Sequence, residues 1–319
     1  MSRYLIRRVL TALPTLLLIS FVLYAVISLA PGDPLSQFAA NPAVPPEVRE
    51  NIRHSLGLDD PWPIRYVKWL VALAHGDWGY SFASRIPVWD LIKLRVPNTL
   101  AVVGVAYLFA LIIAIPIGIL SAVKQYSIFD HVATTLAFIG FSIPTFFTGL
   151  LLIIFLSVKL QWLPFIYDST LQVRDLASLG AQIKQSIMPI VVLGLFQTAT
   201  FVRYTRASML ENLPQDYVRT ARAKGLAESI VINRHVVRNS LIPVVTLIAL
   251  TAPTIFSGAL ITEQIFRVPG IGSLLITSIQ NNDIPVIMAI TFTFSFLVVV
   301  FNAVADMAYG VLDPRIRYD

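Results

Sequence analysis

Six stretches of the chain, 9–29, 100–123, 132–158, 185–202, 241–262 and 284–305, run without a charged side chain and are apolar on every face. A helix of about eighteen or more such residues crosses roughly 30 Å of hydrocarbon. Strands of a lipid-facing barrel would instead alternate polar and apolar positions over about ten residues. The pattern predicts an all-α polytopic membrane protein with six transmembrane helices. Arg3, Arg7 and Arg8 before the first run, and Ser28-Leu29-Ala30 after it, raise a secretory signal peptide as an alternative. The run is longer than the roughly 7 to 15 apolar residues of a signal sequence, and Pro31 would follow the cut directly. A retained helix is expected.

Two segments between the runs are long enough to carry a task. Residues 30–99 open with Pro31-Gly32-Asp33-Pro34, contain Pro42, Pro45 and Pro46, and predict a helix from Glu47 to Ser55 ending before Gly57. Trp62, Tyr66, Trp69, Trp78, Tyr80 and Phe82 follow, as an interfacial aromatic belt, a docking surface for an external partner, or both. Residues 203–240 are basic. Within them Asp216 to Gly225 reads as a short helix, with an acid near its start, bases near its end and Gly225 at the C′ position. A second helix is expected from Asn233 to Ser240, leading to Pro243 at the mouth of the fifth run, so that the pair lies across one membrane face.

Composition sharpens this picture. The chain has 319 residues, 56% hydrophobic and only 13% charged, with mean hydropathy +0.74, against about 25% charged in soluble domains. Having no cysteine, it has no disulfides, thiolate metal sites or cysteine nucleophiles. The net charge of +6 reports topology rather than nucleic acid. If the N-terminus is cytoplasmic, the inner pieces 1–8, 124–131, 203–240 and 306–319 hold 13 Lys/Arg and the short outer loops 159–184 and 263–283 hold 4. Basic residues accumulate in cytoplasmic loops. Both termini are therefore expected inside, and 30–99 outside.

No nucleotide-cradling G-x-x-x-x-G-K-[ST] is present, and Gly270-Ile271-Gly272 lacks the third glycine of a dinucleotide fingerprint. His54, His75, His131 and His235 stand singly, so no metal site is expected. The runs offer no proton relay and no nucleophile-base pair. They do hold Pro116, Pro144, Pro189 and Pro253, which are expected to bend their helices, with polar Thr134, Thr135, Gln197, Thr198, Thr200, Ser295 and Asn302. These polar side chains either pack between helices or line a water-filled path. An uncharged lining suits a solute recognised elsewhere and driven from outside this chain. A channel or secondary carrier working alone, or a membrane scaffold or enzyme, are the readings set against it.

A series of motifs in order carries a resemblance over nearly the whole chain. They are Arg7-Arg8 with Ala30-Pro31-Gly32-Asp33-Pro34, Leu56-Gly57-Leu58-Asp59 with Tyr66 and Trp69, Gly76-Asp77-Trp78-Gly79-Tyr80-Ser81, and Arg203-Tyr204-Thr205-Arg206 with Met209-Leu210. Asp216-Tyr217-Val218-Arg219-Thr220-Ala221-Arg222-Ala223-Lys224-Gly225 follows, then Arg238-Asn239-Ser240-Leu241-Ile242-Pro243-Val244-Val245. Glu263-Gln264-Ile265-Phe266 with Pro269-Gly270-Ile271-Gly272, Asp283-Ile284-Pro285-Val286 and Asp313-Pro314-Arg315 complete it. The chain resembles the first of the two permease subunits of oligopeptide/dipeptide-type bacterial ABC importers.

The resemblance implies a type I ABC importer permease fold, multi-pass in the bacterial plasma (inner) membrane. Residues 1–29 would be the cytoplasmic N-terminus and first span, 30–99 the extracytoplasmic segment, 100–305 the core with its coupling loop 203–240, and 306–319 a cytoplasmic tail. Arg219 to Gly225 match the E-A-A-x-x-x-G motif whose helix docks in a groove of the ATPase, with Arg219 and Thr220 replacing the first Glu and Ala. Arg219, Arg222 and Lys224 would be polar docking contacts, Ala221, Ala223 and Gly225 close-approach positions. The implied partners are a second homologous permease, two ABC ATPase subunits that bind ATP and Mg, and an extracytoplasmic solute-binding protein. Peptides are the implied cargo, with nickel, glutathione or a sugar as alternatives. The chain itself would catalyse nothing.

Overall fold

The computed structural model describes residues 2–29, 45–55, 57, 59–257 and 259–312. The Pro31-Gly32-Asp33-Pro34 and Asp313-Pro314-Arg315 motifs lie outside the described residues, as do Leu56 and Leu58. Elsewhere the described residues form helices and loops, joined by one isolated β-bridge between Tyr80 and Pro87.

The first run becomes α1 (Ser2–Leu29), and the predicted short helix becomes α2 (Pro46–Ser55). The aromatic stretch is helical as α3 (Trp62–Ala74). It is more than a surface belt: Tyr66 is buried, its hydroxyl 3.0 Å from Ser20 Oγ of α1, and the Trp69 ring meets Phe292 edge-on at 5.8 Å. Farther along, Trp78 stacks on Trp89 at 5.5 Å, while Tyr80 stays exposed.

The second and third runs change shape once backbone hydrogen bonding is considered. The second belongs to α4 (Val88–Val123), a 36-residue helix that crosses the expected boundary at residue 99/100 through a π turn at Leu100–Gly104. Such a widening is how a helix absorbs an interruption, and Pro97 lies just before it. The third run breaks into α5 (Ile128–Ser142) and α6 (Thr145–Lys159), which meet at 98°. Pro144 has no N–H to continue the ladder and forces Ile143 into extended backbone, φ −85° and ψ 123°. Among the described residues the expected six spans are thus five single helices and one pair bent at Pro144, one of the four prolines expected to bend a span.

The fourth run sits inside α7 (Leu176–Asn212), 37 residues long and opened by an Asp175/Ser178 capping box. It continues past the expected loop boundary at 203, because no proline or glycine occurs between that residue and Pro214. The expected second helix of that loop is not a separate element. It forms the first turns of α9 (Glu228–Phe256), since Pro243 costs the helix one hydrogen bond without ending it. Between them stands α8 (Asp216–Ala223). Then come α10 (Leu260–Phe266), α11 (Ile271–Gln280) and α12 (Ile284–Leu312), the last of which runs into the expected tail.

Small residues let α4, α5 and α7 approach closely: Ala110, Ala114, Ala137 and Ala199 are buried with Tyr107, Phe201 and Val202. A Cβ on Gly118 would lie 2.6 Å from that of Thr205.

Away from α8, two buried carboxylates tie loops to the bundle. Asp283 accepts from Ser81 Oγ and from the Phe82 and Ala83 amides at 3.0 and 3.2 Å. Glu263 accepts from Thr99 Oγ1 at 3.0 Å and from the Ser273 amide at 2.8 Å, so it sits at the N-terminus of α11. A Cβ at Gly270 would collide with that carboxylate. Gly270→Ala is therefore expected to cost about 2 kcal/mol by overpacking, about 4 °C in the melting temperature of the purified protein. Gly180→Ala, in a helix with nothing within 4 Å of the new methyl, should cost nothing. Equal melting points for the two variants would refute the latch.

Candidate functional site

The most distinctive local structure is α8 and its seat. Asp216 stands in the first turn, Arg222 in the last, and Gly225 takes φ +76° while its amide donates to the Arg222 carbonyl at 2.9 Å. Each is a favourable end group for a helix too short to stand alone. Its inner face is Val218 and Ala221, fully or nearly fully buried against Ala122 of α4, Met209 of α7, and Val231, Ile232 and Val236 of α9. The helix thus packs chiefly on the first turns of α9, and shares one buried cluster with α4 and α7.

The outer face carries Arg219, Thr220, Ala223 and Lys224, all exposed, with Gly225 just beyond. Asp216 is open to solvent, 3.7 Å from Arg219. Tyr217 donates its hydroxyl to Asn212 Oδ1 at 2.8 Å. Arg222 is engaged within the chain: Nη2 and Nε donate to Glu228 at 2.6 and 3.1 Å, which staples α8 to the start of α9 and holds the guanidinium above its usual pKa. Ala221, expected to face a partner, instead faces the chain's own core, because a three-residue spacing puts it on the same side as Val218.

Beneath the seat, Asp130 at the start of α5 pairs with Arg206 of α7 through two hydrogen bonds of 2.7 and 2.8 Å. The carboxylate also accepts from Ser121 Oγ, the Tyr126 amide at 2.9 Å and Thr134 Oγ1 at 3.2 Å. Ser208 Oγ donates to the Ser240 carbonyl at 2.8 Å and ties α7 to α9. Read along the chain, Asp130 and Arg206 report topology alone; their pairing is a tertiary fact.

Of the seven residues expected to line a path, Thr134 belongs to the Asp130 network and Thr135 is exposed on α5. Gln197, Thr198 and Thr200 are half-buried on α7, Thr200 donating to the Phe196 carbonyl at 3.2 Å. Ser295 and Asn302 lie on α12, which packs on α1 and α9, and Ser295 donates to the Thr291 carbonyl at 2.8 Å. An apolar cavity of about 490 Å³ lies between α4, α5 and α7, and Thr198 is the only one of the seven that borders it. Among the described residues no group of histidine and acidic side chains could hold a metal ion.

Residues 114–318 match the family described as binding-protein-dependent transport system inner membrane component, and residues 1–103 match its N-terminal region. The chain is 42% identical over 319 residues to an oligopeptide transport system permease protein, AppB, of Bacillus subtilis, with both chains fully covered. It is 38% identical over 337 aligned positions to a dipeptide transport system permease protein, DppB, of Escherichia coli, covering all of this chain and 99% of the other. A di/tripeptide transport system permease protein of Pseudomonas aeruginosa is 37% identical over 334 positions, with the same coverage.

Proposed function

The chain belongs to the binding-protein-dependent transport system inner membrane component family, and from that premise we propose that it forms half of a peptide path whose ATPase partners dock on α8. As a multi-pass permease subunit it is a transport component, with ATP hydrolysis carried by other subunits. The reading of its cargo follows its relatives, which are named for oligopeptides, dipeptides and di/tripeptides. Its complex would contain a second permease, two ATPases and an extracytoplasmic binding protein.

The observation that carries the docking assignment is the two-faced α8: an apolar face packed on the start of α9 within a cluster that includes residues of α4 and α7, and a basic outer face turned to solvent, where it could meet an acidic groove. Closure of two ATPases around bound ATP would push this helix, and the push would reach three membrane helices through one packed cluster as a rigid-body switch. On this reading α8 and both termini are cytoplasmic and 30–99 is external. A reporter fused after Asp319 should then be cytoplasmic and one inserted near Pro45 external, and the reverse pattern would overturn the topology.

The direct experiment purifies the chain with its co-purifying subunits and measures ATP hydrolysis with binding protein and peptide. Peptide-stimulated turnover is the expected result. Stimulation only by nickel, glutathione or a sugar would replace the cargo, and absence of any ATPase partner would favour an autonomous carrier.

A further inference from the structure

Seen down its axis, the stretch of α7 from Phe196 to Met209 gathers a group of polar side chains along one side. At about 100° per residue, Gln197, Thr200, Arg203 and Tyr204 fall with Phe196 and Ala207 in one arc of about 120°. All are partly or fully exposed. Ala199, Phe201, Val202, Thr205, Ser208 and Met209 fill the opposite side and are buried. The exposed arc thus carries an amide, two hydroxyls and a guanidinium on a helix that is long and apolar enough to span the membrane.

Arg203 is the unusual member. Its guanidinium lies over the Phe141 ring at 4.2 Å and near the Phe138 ring at 5.8 Å, while its Nε is buried without a hydrogen-bond partner. Among the described residues it forms no ion pair. A long basic side chain beside the membrane ordinarily reaches toward the nearest headgroups. Here it leans the other way: side chains tilt toward their helix N-terminus, and for α7 that leads away from α8. Phe138 and Phe141 lie about two and three turns along α5 from Asp130, the partner of Arg206. The cation is held by aromatic faces on the side away from α8, with its buried Nε unspent.

We infer that this arc of α7 lines the translocation path and that the Arg203 guanidinium is a way-station for the carboxylate of the passing solute. The inference rests on the permease reading and extends it. A peptide always offers one terminal carboxylate, and a guanidinium with open donors matches it in charge and planar geometry. Phe138 and Phe141 keep the cation in place without neutralising it, so the anion is attracted and then released.

The chain has no cysteine, so single cysteines can be introduced directly in the complete transporter. Gln197→Cys and Thr200→Cys should react with charged thiosulfonates from water, while buried Val202→Cys should not. A unit charge about 6 Å away should make the anionic reagent about tenfold faster than the cationic one at Thr200→Cys. Adding Arg203→Gln should bring the ratio to about one. No labelling at 197 and 200, or a ratio unmoved by Arg203→Gln, would overturn the inference. In proteoliposomes, Arg203→Gln should lower ATP-driven uptake of trialanine about tenfold relative to its C-terminal amide, and an unchanged preference would remove the carboxylate assignment. Failure of the permease reading looks different: no ATP-driven uptake of either peptide by the unaltered protein.

Discussion

Replacing Arg219 and Lys224 together with glutamate should leave the protein inserted and folded, yet weaken its hold on the ATPase subunits about a hundredfold or more. Both side chains are exposed on the outer face of α8, and neither supports the chain's own packing. Two reversed charges facing an acidic groove turn attraction into repulsion. The choice of this pair matters. Reversing Arg222 would also set two carboxylates against each other at Glu228, since that pair is internal at 2.6 Å, and the loss would be ambiguous between docking and folding. The contrasting variant is Val218→Asp, which buries a carboxylate among Met209, Val231 and Val236 and should release the whole loop from its seat. Co-purification of ATPase with each variant separates the two faces: Arg219/Lys224 reversal should lose the partner at an unchanged melting temperature, Val218→Asp should lose both. Retained ATPase binding and ATP-driven transport in the charge-reversed protein would remove α8 as the docking element.

The α8 helix is legible from its end groups, Asp216, Arg222 and Gly225, because those residues act locally and need no tertiary information. The spanning runs are legible for a similar reason, since hydropathy reports what the bilayer demands of each side chain. What hydropathy misses is the backbone. Pro144 bends the third run by 98° without making it less apolar, and helix continuity through Leu100–Gly104 and past residue 203 follows hydrogen bonding rather than polarity. Charge patterning misleads for a related reason. Asp130, Glu263 and Asp283 read as loop charges, yet all three are buried and answered by partners 76, 164 and 202 residues away. For Glu263 the chain does carry a signal: Gly270 stands where a side chain would collide with the carboxylate, and Gly272 where one would press on the Leu260 backbone. The inward turn of Ala221 is also available, from its spacing to Val218.

The Asp130–Arg206 pair is where stability and coupling meet, and removing its carboxylate should have a large structural effect. Asp130 is buried and Arg206 is 23% exposed along its side chain, so deleting the carboxylate leaves a cation with little water to answer it. Asp130→Ala should cost about 3 kcal/mol. The same carboxylate accepts the amide of Tyr126, which is held at φ +63°, a backbone region that a bulky side chain rarely occupies. Losing it should loosen the turn between α4 and α5 as well. Arg206→Ala should cost less, because Ser121, Tyr126 and Thr134 still satisfy Asp130. The double variant should be more stable than the two single losses sum to, by about 1 to 2 kcal/mol, since each partner is penalised mainly for being left alone. Melting temperatures of the four proteins close that cycle, and strict additivity would show that the pair is a bystander. The functional consequence follows from position. Arg206 lies three residues from Met209, which α8 sits on, and Ser121 is the neighbour of Ala122 in the same seat. A push on α8 reaches the ends of α4, α5 and α7 as one body only while this carboxylate joins them. Asp130→Ala should therefore keep ATPase subunits bound yet lower transport per ATP hydrolysed, whereas the Arg219/Lys224 reversal lowers transport by losing the ATPase itself.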